Sequence, residues 1–177
     1  MTAPPAMRRP EPWLRGTLTG VPAEQRAVLH ALQLAREDIE RWCGGLSEAE
    51  MHGRPCGLPS IAFQLRHIVG SLDRLLTYAE GGALREEQMR QLAAEMETGG
   101  RKTEILRDIE RGLDSAEARI RAIGPTHWPE PRAVGRARLP STVAGLLVHC
   151  AEHTQRHVGQ AITTAKVLLA CRAHPPA

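Results

Sequence analysis

Aromatic residues are scarce in this chain of 177 residues, at 3% of the total: three tryptophans, one tyrosine and one phenylalanine. Because sandwiches and barrels draw on aromatic and β-branched residues, this scarcity argues against an all-β fold. It also argues against nucleic-acid modules that stack bases on aromatic side chains. No apolar run approaches the roughly 18 residues that a membrane-spanning helix requires.

The chain has no CxxC pair, and no secretory signal opens it. Its four cysteines are widely spaced, at Cys43, Cys56, Cys150 and Cys171. We therefore expect a cytoplasmic protein with reduced thiols, in which each cysteine packs in the interior.

Positive charge is carried almost entirely by arginine, because Lys102 and Lys166 are the only lysines, and the net charge is +3. The arginines alternate with acidic residues, as in the segment 107–111. This alternation is typical of a solvated helix face and not of a phosphate-binding stripe. We expect no nucleic-acid partner and no membrane partner.

Prolines leave three long stretches free of proline, 23–54, 60–124 and 141–174. A proline inside a helix costs about 3 kcal/mol, so helices are expected within these stretches. Residues 1–20 are rich in proline and unpatterned, which predicts a leader in front of a single domain over 21–174.

Apolar residues recur every three or four positions in these stretches, which predicts four long amphipathic helices. This pattern is typical of an all-α four-helix bundle, here with a short extra helix and the leader. The linker 125–140 is too long for a simple hairpin turn. The expected limits are 23 to Gly44-Gly45, Ser60 to Gly81-Gly82, a short helix over about 85–97, a third long helix ending at Gly124-Pro125, and a last helix from Ser141 or Thr142.

Three of the eight histidines, His149, His153 and His157, lie four residues apart on the last predicted helix. Residues at this spacing are about one turn apart on one face, so neighbouring imidazoles can close on a single metal ion. Around the helix, His157 and His153 border the apolar stripe, whereas His149 drifts toward the surface. A third ligand must come from another helix.

His67, in the middle of the second predicted helix, is the best candidate for that third ligand. It lies roughly 130° from the centre of its own apolar stripe, so periodicity alone places it at the periphery. The neighbouring Gly70 and Ser71 are small enough to leave room for an ion.

Two segments carry a resemblance to a known family. They are GLPSIAFQLRH at 57–67, followed by LDRLLTYAEG at 72–81, and HCAEHTQRHVGQ at 149–160. Both resemble the DinB-like family, the superfamily of metal-dependent bacillithiol- and mycothiol-transferases, and the likeness extends over about 24–170.

The resemblance implies a four-helix bundle whose metal is bound by one histidine of the second helix and two of the last. In this sequence these positions are His67, His153 and His157. Three neutral histidines leave a coordination position open, as catalytic zinc sites do. The metal expected first is Zn or Ni, although Fe or Cu also suits imidazole ligands.

The family also implies a reaction, that of a metal-dependent thiol S-transferase or isomerase acting on a small-molecule substrate with a low-molecular-weight thiol as co-substrate. Gln64, Gln160 and His149 are candidates for orienting the ligands or lining the substrate. No general base is evident, so no catalytic residue is assigned.

Other interpretations stay open at this point. The bundle could be a non-catalytic metal-binding or stress-related protein, a metal-dependent hydrolase, or a bundle without metal. His149, Glu152 and His153 also fit the H-x-x-E-H pattern of one class of metalloprotease, in which His149 matters and His157 does not. Exposed helix faces would allow a homodimer.

Overall fold

The computed structural model of the chain describes residues 9–96 and 99–173. Within these ranges it is mostly helical, with one two-stranded sheet. The elements in chain order are α1 (Ala23–Cys43), α2 (Glu48–His52), α3 (Ile61–Ala79), α4 (Glu86–Ala94), α5 (Lys102–Ala122), β1 (Pro131–Val134), β2 (Leu139–Thr142) and α6 (Val143–Ala173). Single 3-10 turns lie at Pro12–Leu14, Pro55–Gly57 and Pro125–His127.

Four long helices, α1, α3, α5 and α6, form the bundle. Helix α6 packs against α1 and α3, and α5 packs against the same two helices from the other side. The predicted all-α bundle is confirmed, and α4 is the predicted short extra helix. Each helix in residues 9–96 and 99–173 is too short or too polar to cross a lipid bilayer.

Most of the core consists of the apolar stripes that the sequence spacing predicts. On α1, Val28, Leu32, Ala35 and Ile39 are all buried. Ser60 caps α3, where its hydroxyl oxygen accepts a hydrogen bond from the Phe63 amide at 3.2 Å. Fully burying a valine, leucine or isoleucine side chain contributes about 1.5–3 kcal/mol to the free energy of unfolding. The apolar stripes therefore hold the four helices together.

The linker 125–140, for which the sequence predicts no element, contains a β-hairpin. Strand β1 pairs with β2 in antiparallel register, Ala133 opposite Pro140, and α6 therefore begins at Val143 instead of Ser141 or Thr142. Prolines prevent a helix here, yet a two-stranded ribbon tolerates them because each strand has an open edge where no amide must be donated. Gly135, with φ of +70°, starts the turn.

Helix α2 was also missed, because it is one turn long and carries little periodicity. A capping box defines it: the Ser47 hydroxyl oxygen accepts from the Glu50 amide, and the Glu50 carboxylate accepts from the Ser47 amide. The expectation that every cysteine is internal is wrong for Cys56 and Cys171, which are exposed, whereas Cys43 and Cys150 are buried.

The part of the predicted leader that the structure describes packs against α1. Arg15 donates two hydrogen bonds to the Glu37 carboxylate, at 2.5 and 2.7 Å. Residues 1–8 of the leader and position 174, where the predicted domain ends, lie outside the described residues. The division of the chain at residue 20 stays a prediction.

Two glycines provide a test of how closely the helices pack. A Cβ atom at Gly112 of α5 would lie 2.9 and 3.0 Å from the two methyl carbons of Val69 on α3, whereas one at Gly159 of α6 would meet nothing within 4 Å. Alanine favours a helix over glycine by up to about 1 kcal/mol, but overpacking costs about 1–3 kcal/mol.

We therefore predict that Gly112→Ala lowers the free energy of unfolding and that Gly159→Ala raises it, by up to about 1 kcal/mol. Urea unfolding followed by circular dichroism measures both changes. A stabilised Gly112→Ala variant would contradict the close approach of α3 and α5.

Candidate metal centre

Three imidazole rings meet where α3 packs against α6. The ring centroid of His67 lies 5.0 Å from that of His153 and 4.4 Å from that of His157, and the last two are 4.4 Å apart. One ring nitrogen from each residue falls within 4.8 Å of the other two. The structure thus brings together the three histidines that the resemblance assigns to the metal.

The helical geometry explains this meeting. His153 and His157 are one turn apart on α6 and share a face, while His67 projects from the adjacent helix α3. The ring of Phe63, one turn before His67, stacks on it with centroids 5.6 Å apart and planes inclined by 18°. This stacking restricts the rotation of the His67 ring.

A buried carboxylate orients His67. The Nδ1 atom of His67 donates a hydrogen bond to Glu95 Oε2 at 2.6 Å. The other carboxylate oxygen accepts from Arg74 Nη1 at 2.7 Å, and Glu95 is only 5% exposed. With Nδ1 engaged, Nε2 is the nitrogen of His67 that is left for a ligand, and its contact with the Ser71 hydroxyl is long, at 3.4 Å.

Gly70 makes room for this ion pair. A Cβ atom there would collide with Glu95 Oε1 and would lie 2.7 Å from Arg74 Nη1. The small residue at this position therefore admits the Glu95 side chain to the face of α3 that carries His67.

An amide chain orients His157 in the same way. The Nδ1 atom of His157 donates to Gln64 Oε1 at 2.6 Å, and Gln64 Nε2 donates to Gln160 Oε1 at 2.9 Å. Gln64 is fully buried, so its amide cannot exchange these partners for water. Of the two glutamines that the sequence singles out, Gln64 therefore contacts a histidine of the triad directly, and Gln160 supports it through Gln64.

Burial, as the largest cause, and the neighbouring imidazoles together lower the pKa of both His153 and His157 to about 4. The imidazoles contribute because a second positive charge so close is unfavourable. Both rings are therefore neutral at pH 7, with a lone pair available for coordination.

The donor set fits a divalent transition metal. Histidine ligands in metal sites usually donate their second ring nitrogen to a carboxylate or carbonyl, and His67 and His157 both do so here. Three imidazoles with no carboxylate among them suit Zn, Ni, Cu or Fe better than Mg or Ca. The triad is thus compatible with metal binding on its chemistry as well as on its spacing.

His149 lies outside the triad. Its ring centroid is 5.4 Å from that of His153, its side chain is 42% exposed, and its Nδ1 contacts Glu152 at 3.3 Å. The H-x-x-E-H interpretation needs His149 and His153 to share an ion, and the described cluster instead joins His153 to His157 and His67.

A cavity of about 990 Å³ opens beside the triad, with His149 and His153 in its wall. It lies between the end of α3, α4, the hairpin and the first half of α6. Arg74 borders it as well, so the ion pair with Glu95 lies at its edge. Leu75, Leu84 and Leu92 form an apolar side of the same cavity.

A family model described as the DinB superfamily matches residues 31–161, well over half of the chain. The chain belongs to the DinB superfamily. No curated protein and no solved structure matches it. The matched region of this DinB protein contains His67, Glu95, His153 and His157, so the whole triad and its carboxylate lie inside the family domain.

Sequence reasoning missed Glu95. This residue follows the short helix α4, just before the break at Gly99-Gly100, where the apolar pattern stops. Its only sequence signal was indirect, through Gly70 and Ser71, whose small size showed that α3 has space beside His67.

Metal-free protein is predicted to lose stability as the pH falls from 6.5 toward 4. Unfolded histidine takes up a proton near pH 6.5, whereas His153 and His157 resist protonation until about pH 4 in the folded state. The unfolded state therefore binds more protons in this window, and the free energy of unfolding decreases there.

Urea unfolding between pH 7 and 4.5 measures this decrease. A double variant, His153→Gln with His157→Gln, should lose much of the pH dependence, and His149→Gln should keep it. If the free energy of unfolding of the double variant depends on pH as strongly as that of the wild type, the two buried imidazoles are not the source of the pH dependence.

Glu95→Gln is predicted to weaken metal binding about 10- to 100-fold, the usual effect of removing the carboxylate behind a ligating histidine. The matched control is Glu152→Gln, which also removes a carboxylate near the triad but one that contacts His149 and Arg156. Titration with Zn²⁺ against a competing chelator measures the affinity, and circular dichroism confirms folding. Equal affinities for the two variants would contradict the role of Glu95.

Proposed function

We propose that this DinB protein is a metal-dependent thiol S-transferase or isomerase that acts on small molecules. The observation that carries the proposal is the position of the triad: three imidazole nitrogens within 4.8 Å of one another lie beside a cavity of about 990 Å³. Ligand sites of about 300–1,000 Å³ hold drug-sized molecules, so a thiol and a second small substrate fit together.

The arrangement of the three histidines supports catalysis more than metal storage. Three protein ligands are the number that catalytic sites use, because a fourth position stays available to a reactant. A divalent metal ion bound by His67, His153 and His157 would supply Lewis-acid chemistry that lowers the pKa of a coordinated thiol. Glu95 and Gln64 hold the Nδ1 protons of two of these histidines, which fixes the direction in which their Nε2 atoms point.

In the transferase reaction the thiol loses its proton to water, and its sulfur forms a bond to an electrophilic carbon while the bond from that carbon to its leaving group breaks and the leaving group departs with the electron pair. In the isomerase reaction the sulfur adds to a double bond and leaves again after rotation about the resulting single bond. The apolar side of the cavity, with Leu75, Leu84 and Leu92, keeps water from competing with the thiol. Zn or Ni is the metal expected first, and a cytoplasmic location and a homodimer remain predictions.

Metal content per chain tests the first part of the proposal. Mass spectrometry of untagged protein should find about one divalent metal per chain, as a three-histidine site requires. Alanine variants at His67, His153 and His157 should each lose the metal, and His149→Ala should keep it because its exposed ring lies outside the triad. Loss at His149 but not at His157 would favour the H-x-x-E-H site, and no metal under any loading condition would refute the proposal.

Turnover tests the second part. Metal-loaded protein is mixed with a low-molecular-weight thiol and an electrophile, and consumption of free thiol is followed over time. His153→Ala serves as the inactive control. A full metal site without turnover of any thiol would leave a non-catalytic metal-binding bundle, and cleavage of an ester without thiol consumption would identify a hydrolase.

A further inference from the structure

The cavity beside the triad has an unusual charge distribution. Four arginines line it, Arg74, Arg132, Arg136 and Arg138, and none of its described lining residues is acidic. The chain as a whole has 20 acidic against 23 basic residues, so a wall with arginines alone is a local bias. The second cavity, of about 630 Å³ between α3 and α5, has Glu95, Glu104 and Asp108 in its wall.

Two of the four arginines already have partners. Arg74 donates to Glu95, as described above. Arg132 donates from Nε to the Ala79 carbonyl at 2.8 Å and from Nη2 to Glu130 at 2.9 Å. These contacts fix the base of the hairpin against the end of α3.

Arg136 and Arg138 lie in the turn between β1 and β2 and have no such partners. Across residues 9–96 and 99–173, neither side chain makes a hydrogen bond or an ion pair. The backbone of the turn that carries them is closed by a hydrogen bond, which the Arg138 amide donates to the Gly135 carbonyl at 3.1 Å. The cavity wall thus contains two exposed guanidinium groups that are available to an anion.

Apolar side chains make up much of the rest of the cavity wall. Leu75, Tyr78, Leu84, Met89 and Leu92 line it, and Met89 and Leu92 are 41% and 39% exposed. A ligand that satisfies both kinds of lining residue has an anionic group for the arginines and an apolar chain for the leucines and Met89. Guanidinium binds carboxylate and phosphate in the same two-pronged manner, so either oxyanion fits.

We propose that Arg136 and Arg138 bind the anionic group of a substrate whose apolar chain lies along α4 and whose reactive end reaches the histidine triad. The class of substrate is therefore a small organic oxyanion, a carboxylate or a phosphate. The placement of the reactive end at the triad rests on the proposed function, whereas the anion site does not. The two parts can therefore be tested separately.

The anion site is tested in metal-free protein. Methionine methyl groups are labelled with ¹³C and followed by NMR during titration with octanoate, octyl phosphate and the neutral 1-octanol. Met89 in the cavity wall should shift with both anions, and Met51, fully buried in the core, should not. The anion that binds more tightly, octanoate or octyl phosphate, identifies the oxyanion that the site prefers.

The double variant Arg136→Gln with Arg138→Gln should weaken anion binding about tenfold or more, the usual effect of losing a charge-assisted pair. Arg156→Gln is the matched control, because it removes one arginine near the triad that pairs with Glu152 and lies outside the cavity wall. The proposal would be overturned if the wild type bound octanoate and octanol equally well. It would also be overturned if the double variant kept the preference for the anion.

The link to the triad is tested in the Co²⁺-loaded protein. The thiolate-to-cobalt absorption band reports binding of 6-mercaptohexanoate and of the neutral 6-mercaptohexanol. The acid should bind about tenfold more tightly, and the double variant should lose this preference while it keeps its affinity for the alcohol.

The two titrations distinguish a failure of the anion site from a failure of the proposed function. Tight binding of both thiols without preference for the acid would leave the proposed function intact and refute the anion site. Octanoate binding without any cobalt band would refute the proposed function and leave the anion site intact.

Discussion

The contact between α3 and α6 is the interaction on which the site depends, because one imidazole comes from the first helix and two from the second. Their ring centroids lie within 5.0 Å, so a shift of either helix by a fraction of a turn would separate them. The apolar stripes fix that contact from the core side. Buried hydrogen bonds fix it again at the site, where Gln64 of α3 holds both His157 and Gln160 of α6.

The two orienting groups differ in charge. His67 has a carboxylate behind it, and His157 has a neutral amide. A carboxylate makes the opposite ring nitrogen a stronger electron donor than an amide does, so His67 is the stronger donor ligand of the two. Arg74 moderates this effect because it shares the carboxylate from the other side, and a fully buried charge without such a partner would be costly.

Most of the fold follows from the sequence, because proline-free stretches with a repeat of three or four residues leave little alternative to helices. His153 and His157 follow from the same periodicity. His67 does not, since it lies at the seam between α3 and α6 and not on the stripe that faces the core, and only the resemblance to a family identifies it. Glu95 lies within the predicted short helix and the hairpin arginines lie in the linker, and no spacing or motif marks either of them, so only three-dimensional contacts reveal their roles.

The ion pair between Arg74 and Glu95 stands at the boundary between the two cavities. Arg74 borders the space beside α6, whereas Glu95 and Gly70 border the space beside α5. The pair is therefore a partition as well as a support for His67. Loss of either side chain would therefore alter the wall of one cavity and leave its former partner unpaired in the wall of the other.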